Sequence, residues 1–332
     1  MVKHYEINLD LPGKDRWCAI LADNKSLFPR IVSFVNNTLK GVGYSEEISK
    51  IVGGMIWIYQ KNIAHLEELS CIANTIGISL DKLIIMQLIY EASAACTSVV
   101  SKIDNEYVMF RTMDWSMDIQ FLKDITIDID FYSKDRKVFR ATTWLGYVGV
   151  LTGLSYVMKY SIAINYRRTT NNKESYIQSL FGNIVSTLLQ YWPISYLIRN
   201  VLQNNRPLEE TKSILREYQL ISPCYITICC KENSCIIVRD PKFCVKEISI
   251  EKGSLIQTNV DDDKTQPDIL YSNARRVLCQ KIISSENMKG KSISKVMEQF
   301  KIFPIFNSDT IYWNVMIPEV DYYNTSNDSR IM

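Results

Sequence analysis

The stretch Cys96-Thr97-Ser98-Val99-Val100-Ser101, followed by Asp104-Asn105 and then Tyr107-Val108-Met109-Phe110-Arg111, reads as a β-hairpin. Both arms have the β-branched and apolar composition of strands, and Asp-Asn is turn chemistry. A turn centred near Asp104 pairs Cys96 with about position 112 in antiparallel register, so the return strand brings Arg111 and Asp114 back beside the thiol. An arginine at that range stabilises the thiolate, the nucleophilic form of a side chain that titrates near about 8.5 when free. Cys96 is therefore a candidate nucleophile. The chain holds only two histidines, His4 close to the N-terminus and His65 inside a helical stretch, so a Cys-His pair is a poor fit. Self-supply is the remaining solution. If the peptide bond before Cys96 is cut, its own α-amine, with a reference pKa of about 7.7, serves as the base. The competing structural reading treats Cys96 as a small buried hydrophobe, as unpaired cysteines often are.

Around the hairpin the pattern alternates between runs of helices and runs of strands. Phe28–Leu39, Glu46–Tyr59, Asn62–Ile76 and Leu80–Glu91 have helical periodicity, with Gly41, Gly43 and Gly77 between them. Strands are expected at Ile125–Tyr132, Val138–Trp144, Tyr147–Thr152 and Ser161–Asn165. Helices then follow over Tyr176–Gln203, interrupted at Pro193, and Leu208–Tyr218. A second meander spans Tyr225–Cys230, Cys235–Arg239, Val245–Ile250 and Ser254–Asn259. Helices Ile269–Ile283 and Ile293–Phe300 and a strand Thr310–Met316 close the chain. The order predicts an α+β fold, an αββα sandwich of two antiparallel sheets with flanking helices.

Composition bounds the function. With 332 residues, 47% hydrophobic and 22% charged, the chain can bury a large core, and a net charge of +2 gives no basis for nucleic-acid binding. No GxGxxG, P-loop or zinc-ligand spacing is present, so no cofactor and no metal are expected. Cys224, Cys229, Cys230 and Cys235 have no accompanying histidine cluster and are read as core residues. Nine cysteines is an odd number, which implies at least one free thiol. The run Leu83–Val100 is interrupted by Gln87 and Glu91 and is read as a buried helix leading into the nucleophile strand, not a membrane span.

Several motifs resemble one family. Cys96-Thr97-Ser98-Val99-Val100 with Arg111-Thr112-Met113-Asp114-Trp115, Tyr5-Glu6-Ile7-Asn8-Leu9-Asp10-Leu11-Pro12 with Arg16-Trp17, Gly146-Tyr147-Val148-Gly149-Val150-Leu151-Thr152-Gly153, and Gln257-Thr258-Asn259-Val260-Asp261 are similar, in order and spacing, to segments of the acid ceramidase and N-acylethanolamine acid amidase family. Those proteins are N-terminal-nucleophile hydrolases. The resemblance implies a lipid amidase that cuts itself between Ala95 and Cys96, leaving an α-fragment of residues 1–95 associated with a catalytic β-fragment of residues 96–332. By position it implies that Arg111 and Asp114 hold and polarise the nucleophile, the aspartate also orienting the new ammonium. Asn259 would supply an oxyanion-hole donor, and Arg275, favoured over Arg276, would match a downstream arginine. Cys279 resembles a position that is disulfide-bonded to a cysteine near the mature N-terminus in the family. No cysteine precedes Tyr5 here, so that bridge is absent or Cys18 has another role.

Other readings stand beside these. Asp114 could simply pair with Arg111 at a strand end, and Asn259 could cap a turn before Asp261-Asp262-Asp263. Two departures are visible: Tyr166 stands between Asn165 and Arg167 where the family has a glutamate, and Thr112 replaces an asparagine. Leu145–Leu151 and Gly53–Tyr59 could line an acyl channel or meet a membrane surface; core is the default for such runs. The opening segment favours ceramide over N-acylethanolamines as substrate. An acyltransferase on the same scaffold and a non-catalytic lipid-binding relative remain open. The family implies a lysosome, whereas the N-terminus shows no charged n-region and apolar h-region, which leaves the cytoplasm open. Sequons at Asn24, Asn36, Asn324 and Asn327 fit secretion.

Overall fold

The structure is a computed structural model that describes residues 2–89, 94–167, 182–187, 190–250, 253–261, 268, 270–284 and 292–328. Strand β1 (Lys3–Asn8) is followed by helices α1 (Cys18–Asp23), α2 (Phe28–Gly41), α3 (Glu46–Tyr59), α4 (Leu66–Ile76) and α5 (Leu80–Leu88). Ser45 caps α3 by accepting from the Ile48 N–H at 3.3 Å, with Glu46 and Glu47 in the first turn. Gly77, at φ +85°, ends α4. That helix starts at Leu66, later than the expected Asn62, because His65 sits in the left-handed region at φ 60°. Glu91 of the expected fourth helix lies outside the described residues.

The hairpin forms from β2 (Ala95–Ile103) and β3 (Glu106–Asp114). Asp104 and Asn105, at φ 51° and 68°, make the two-residue turn whose twist suits a hairpin. Cys96 consequently faces Met113, one place beyond the expected register. Next come α6 (Ile119–Asp124), β4 (Thr126–Ser133), β5 (Arg136–Trp144), β6 (Thr152–Ser155) and β7 (Tyr160–Tyr166). A helical stretch at 182–187 precedes α7 (Ile194–Gln203) and α8 (Leu208–Glu217). The chain closes with β8 (Cys224–Cys229), β9 (Cys235–Arg239), β10 (Cys244–Ser249), β11 (Ser254–Gln257), α9 (Ser272–Ser284), α10 (Ile293–Gln299), β12 (Thr310–Ile317) and β13 (Tyr322–Ser326). The expected helix beginning at Tyr176 falls on residues outside the description up to 181.

Eight strands form one sheet in the order β1-β4-β5-β6-β7-β8-β9-β10, and five form the other, β11-β2-β3-β12-β13. Residues of α2 to α5 and α7 pack with the eight-stranded sheet in one apolar cluster. Cys279 and Ile282 of α9 and Val296 of α10 pack with Val99 and Phe110 of the five-stranded sheet in a second. Val100, Met109, Leu154, Tyr225 and Met316 meet between the sheets in a third. This is the αββα sandwich, with one difference from an all-antiparallel arrangement: β1 pairs with β4 in parallel.

The expected strand Tyr147–Thr152 is instead a loop up to Leu151, with β6 starting at Thr152. Its glycines explain why. A Cβ at Gly149 would lie 2.5 Å from Ser195 Oγ of α7, so only glycine permits the approach, and Gly146 has φ +86°. The loop's backbone is bound by side chains in place of a ladder: Gln87 donates to Gly146 O at 3.1 Å and accepts from Val148 N at 2.8 Å, and Arg199 donates to Val148 O at 2.8 Å. The polar residue that interrupts the apolar run in α5 is thus a loop anchor.

Glu68 of α4 is buried and accepts from Arg16 at 2.9 Å, from Trp17 Nε1 at 2.8 Å and from Arg199 of α7 at 2.7 Å. This cluster and the β1–β4 pairing tie the first 95 residues to the rest. Asn24 is buried too, donating to Tyr5 and to Ile20 O, so its sequon is closed to modification. Among the described residues no single helix is long and apolar enough to cross a membrane.

Candidate active site

Cys96 and Arg111 share a face of the hairpin because Cys96 opposes Met113 and Ser98 opposes Arg111, which makes them diagonal neighbours. Arg111 Nη2 donates to Cys96 Sγ at 3.2 Å. The guanidinium is fully buried and held in place by Leu151 O at 3.1 Å, Ile164 O at 2.8 Å, the Thr152 hydroxyl, and Tyr312 OH at 3.4 Å. The glycine-rich loop therefore ends on the arginine that touches the thiol.

The backbone of Cys96 is engaged as well. Its N–H donates to Asn259 Oδ1 at 2.9 Å, and its carbonyl accepts from Arg275 Nη1 at 2.7 Å and from Asn165 Nδ2 at 3.0 Å. Asn259 Nδ2 donates to Tyr166 O at 2.9 Å and to Ala94 O at 3.5 Å, so this one amide spans the Ala95–Cys96 peptide. Arg275 also donates to Asn259 Oδ1 at 3.0 Å and to Thr97 Oγ1 at 2.7 Å, whereas Arg276 turns to the carbonyls of Val260 and Asp261.

Asp114 stands opposite Ala95, the residue before the nucleophile, and strand alternation puts its side chain on the face of Thr97 and Thr112, away from Arg111. Its carboxylate accepts from Thr310 at 2.7 Å and from Thr112 at 3.3 Å and lies 3.8 Å from Arg275 Nη1. Burial raises the Asp114 carboxyl above the usual carboxylate range, with Arg275 pulling the other way; burial lowers the Arg275 guanidinium. The five residues singled out from sequence thus meet around one peptide bond, with Arg111 on the sulfur side and Asp114, Arg275 and Asn259 on the backbone side. Sequence reading missed Asn165, Thr310 and Tyr312. Asn165 was legible as a polar residue ending an apolar strand; the other two carried no local signal.

Phe34, Met86, Trp115, Trp144, Leu145 and Tyr147, among others, line a small pocket with room of about 60 Å³. Its walls are almost wholly apolar, and Trp115 directly follows Asp114. On α3, Val52 and Ile56 point inward while Ile51, Trp57 and Ile58 are 58%, 75% and 65% exposed. All nine cysteines are thiols. Cys279 is buried, which pushes its thiol up to about 12, and Cys18 lies beside Cys71 of α4. Cys224, Cys229, Cys230 and Cys235 are buried in and next to β8 and β9.

Residues 1–56 match the family model described as the beta subunit of N-acylethanolamine-hydrolyzing acid amidase. Over 324 residues the chain is 35% identical to an uncharacterized protein of Acanthamoeba polyphaga mimivirus, covering 97% of this chain and 98% of that protein. It is 27% identical to acid ceramidase of Mus musculus over 339 residues, 95% of this chain and 83% of the other. Among solved structures it is similar to the Caenorhabditis elegans ortholog of N-acylethanolamine-hydrolyzing acid amidase, at 26% identity and a TM-score of 0.57, covering 67% of this chain and 93% of that one.

Proposed function

The chain belongs to the acid ceramidase and N-acylethanolamine acid amidase family and is an N-acyl amide hydrolase, and on that premise we propose that it is a self-processing lipid amidase with Cys96 as nucleophile and ceramide as substrate. The observation that carries this reading is that all three reactive parts of Cys96 are bound at once: Sγ by Arg111, N by Asn259, and O by Arg275 and Asn165.

In the first step the thiol adds to the Ala95 carbonyl carbon, the Ala95–Cys96 C–N bond breaks, and the freed nitrogen takes the proton. Water then hydrolyses the thioester, leaving a carboxylate on Ala95 and an α-amine on Cys96. That amine stays within reach of Asn259 Oδ1, which already accepts from the Cys96 N–H at 2.9 Å, with Asp114 opposite Ala95 available to hold its ammonium form. In turnover the amine takes the thiol proton, Sγ attacks the substrate amide, and the proton passes to the departing amine. Water releases the acid from the acyl-enzyme. Cleavage withdraws Ala94 O from Asn259 Nδ2, which frees an N–H for the substrate oxyanion.

The exposed apolar side of α3 suits docking on a lipid surface. After cleavage, fragments 1–95 and 96–332 would stay together through β1–β4 pairing and the Glu68–Arg199 pair. The reading implies an acidic compartment such as the lysosome. N-acylethanolamines are the second substrate class, favoured by the match over residues 1–56 and by the nematode structure.

Intact-mass analysis of wild type and Cys96→Ala at mildly acidic pH, with hydrolysis of ceramide and of an N-acylethanolamine measured in parallel, tests the proposal. Fragments split at Ala95/Cys96, and hydrolysis, in wild type alone are expected. Hydrolysis by Cys96→Ala would overturn it, and the faster substrate decides between the two amides.

A further inference from the structure

We propose that Arg167 and Asp261 form a clamp that fixes Asn259 against the Cys96 backbone, which makes Arg167 a positioning residue for the chemistry inferred above. The proposal rests on that functional reading for its kinetic consequences but on contacts alone for the clamp. The last residues of β7 and the segment after β11 are linked at three successive steps. Asn165 Nδ2 donates to Gln257 O at 3.0 Å and Thr258 O at 3.3 Å. Tyr166 O accepts from Asn259 Nδ2 at 2.9 Å. Arg167 Nε and Nη2 then grip the two oxygens of Asp261 at 3.0 and 2.8 Å, a bidentate fork.

Residues 258–261 have no strand ladder of their own, so these links from β7, together with Arg275 on Asn259 Oδ1 and Arg276 on the Val260 and Asp261 carbonyls, set where Asn259 lies. The fork is well supported. Arg167 is buried, its Nη1 donates to Asp240 at 2.6 Å, its guanidinium lies 5.8 Å from the Tyr225 ring centroid, and Tyr225 OH donates to Asp261 Oδ1 at 2.7 Å. Burial alone would raise the Asp261 carboxyl, but Arg167 and Tyr225 hold it below the usual carboxylate range. The link therefore stays ionised at acidic pH. Asn259 is two residues from the fork, and a displacement of about 1 Å at such a group costs on the order of 100-fold in rate. Lysine cannot replace the arginine, since a single ammonium lacks the planar fork.

The test compares Arg167→Lys and Asp261→Asn with Asp240→Asn, which removes an ion pair from the same arginine without touching the Asn259 segment. Rates of self-cleavage, kcat, KM and thermal midpoints are measured, together with hydrogen exchange of residues 254–261 in the uncleaved Cys96→Ala background. The expected result is a roughly 10- to 100-fold loss of kcat and cleavage rate in Arg167→Lys and Asp261→Asn, with KM within about twofold. Exchange in that segment should rise, and Asp240→Asn should stay close to wild type in all but thermal midpoint. Wild-type kinetics and exchange in Asp261→Asn, or equal effects in Asp240→Asn and Asp261→Asn, would overturn the clamp. A wild type that neither cuts itself nor hydrolyses amides would sink the functional reading instead, and the exchange contrast still decides the clamp.

Discussion

Arg111 Nη2 lies 3.2 Å from Cys96 Sγ, across the diagonal of one hairpin face, and the same guanidinium reaches the loop carbonyl of Leu151 and the β7 carbonyl of Ile164. A lysine at this position could not satisfy Cys96, Leu151 O and Ile164 O together. Arg111→Lys is expected to keep its fold and lose about 10- to 100-fold in kcat, the equivalent of about 1.5–3 kcal/mol for a hydrogen bond to a charged group. Steady-state hydrolysis with circular dichroism as the folding check measures this. Unchanged kcat would reduce Arg111 to packing.

The hairpin was legible because strand composition, turn residues and the chemistry-bearing side chains lie within twenty residues of one another. The helices of the first ninety residues were legible for a related reason: their apolar faces have a 3.6-residue period that needs no partner to be seen. The loop from Leu145 to Leu151 was misread as a strand because its β-like composition serves burial against α7, and the deciding fact, Gly149 under Ser195, is tertiary. The parallel β1–β4 pair was illegible for the same reason, since nothing in Lys3–Asn8 names its neighbour. In the site, Asn259 and Arg275 stood out only through resemblance; their meeting at Cys96 joins segments 163 and 179 residues apart. That Asp114 and Arg111 project to opposite faces follows from their odd spacing along β3, where successive side chains alternate sides.

Asn259 holds the Cys96 N–H and carries the donor proposed for the oxyanion. Asn259→Ala removes both contacts without adding charge. Self-cleavage and turnover are each expected to slow by about 100-fold or more. Timed intact-mass measurements and initial rates report the two steps separately; a variant that matures at the wild-type rate would show that Asn259 only closes a turn.

Glu68 accepts from three donors, and two of them are arginines. Glu68→Gln leaves the buried Arg199 without its counter-charge, a change of the kind that costs about 3–5 kcal/mol. The urea midpoint should fall with an unchanged denaturant slope. A midpoint within experimental error of wild type would mean that β1 and the apolar contacts of α4 hold the first 95 residues unaided.

Trp57 and Ile58 present a large apolar surface on α3 that the fold does not cover. If that surface meets lipid, Trp57→Asp/Ile58→Asp should lose vesicle binding and most hydrolysis of membrane-embedded substrate while hydrolysing a short, soluble N-acyl amide at the wild-type rate. Vesicle co-sedimentation and the two assays check this. Equal loss on both substrates would point to damage within the fold.

His65 couples the Glu68 cluster to pH. Burial first, and then the Arg199 charge, lower its imidazole from 6.5 to about 4. The folded chain therefore keeps His65 neutral where the unfolded chain protonates it, so the stability it contributes is complete above about pH 6.5 and is lost as the pH falls towards 4. The loss amounts to at most about 3 kcal/mol, with a slope of up to about 1.4 kcal/mol per pH unit. His65→Asn keeps a residue that tolerates the left-handed backbone and removes the titration. Urea unfolding at pH 7, 5.5 and 4.5 should then show a flatter pH dependence in the variant than in wild type, whatever the absolute stabilities. Equal slopes would show that the folded chain also takes up this proton, which requires water or a rearranged Glu68 carboxylate to reach His65 beside Arg199.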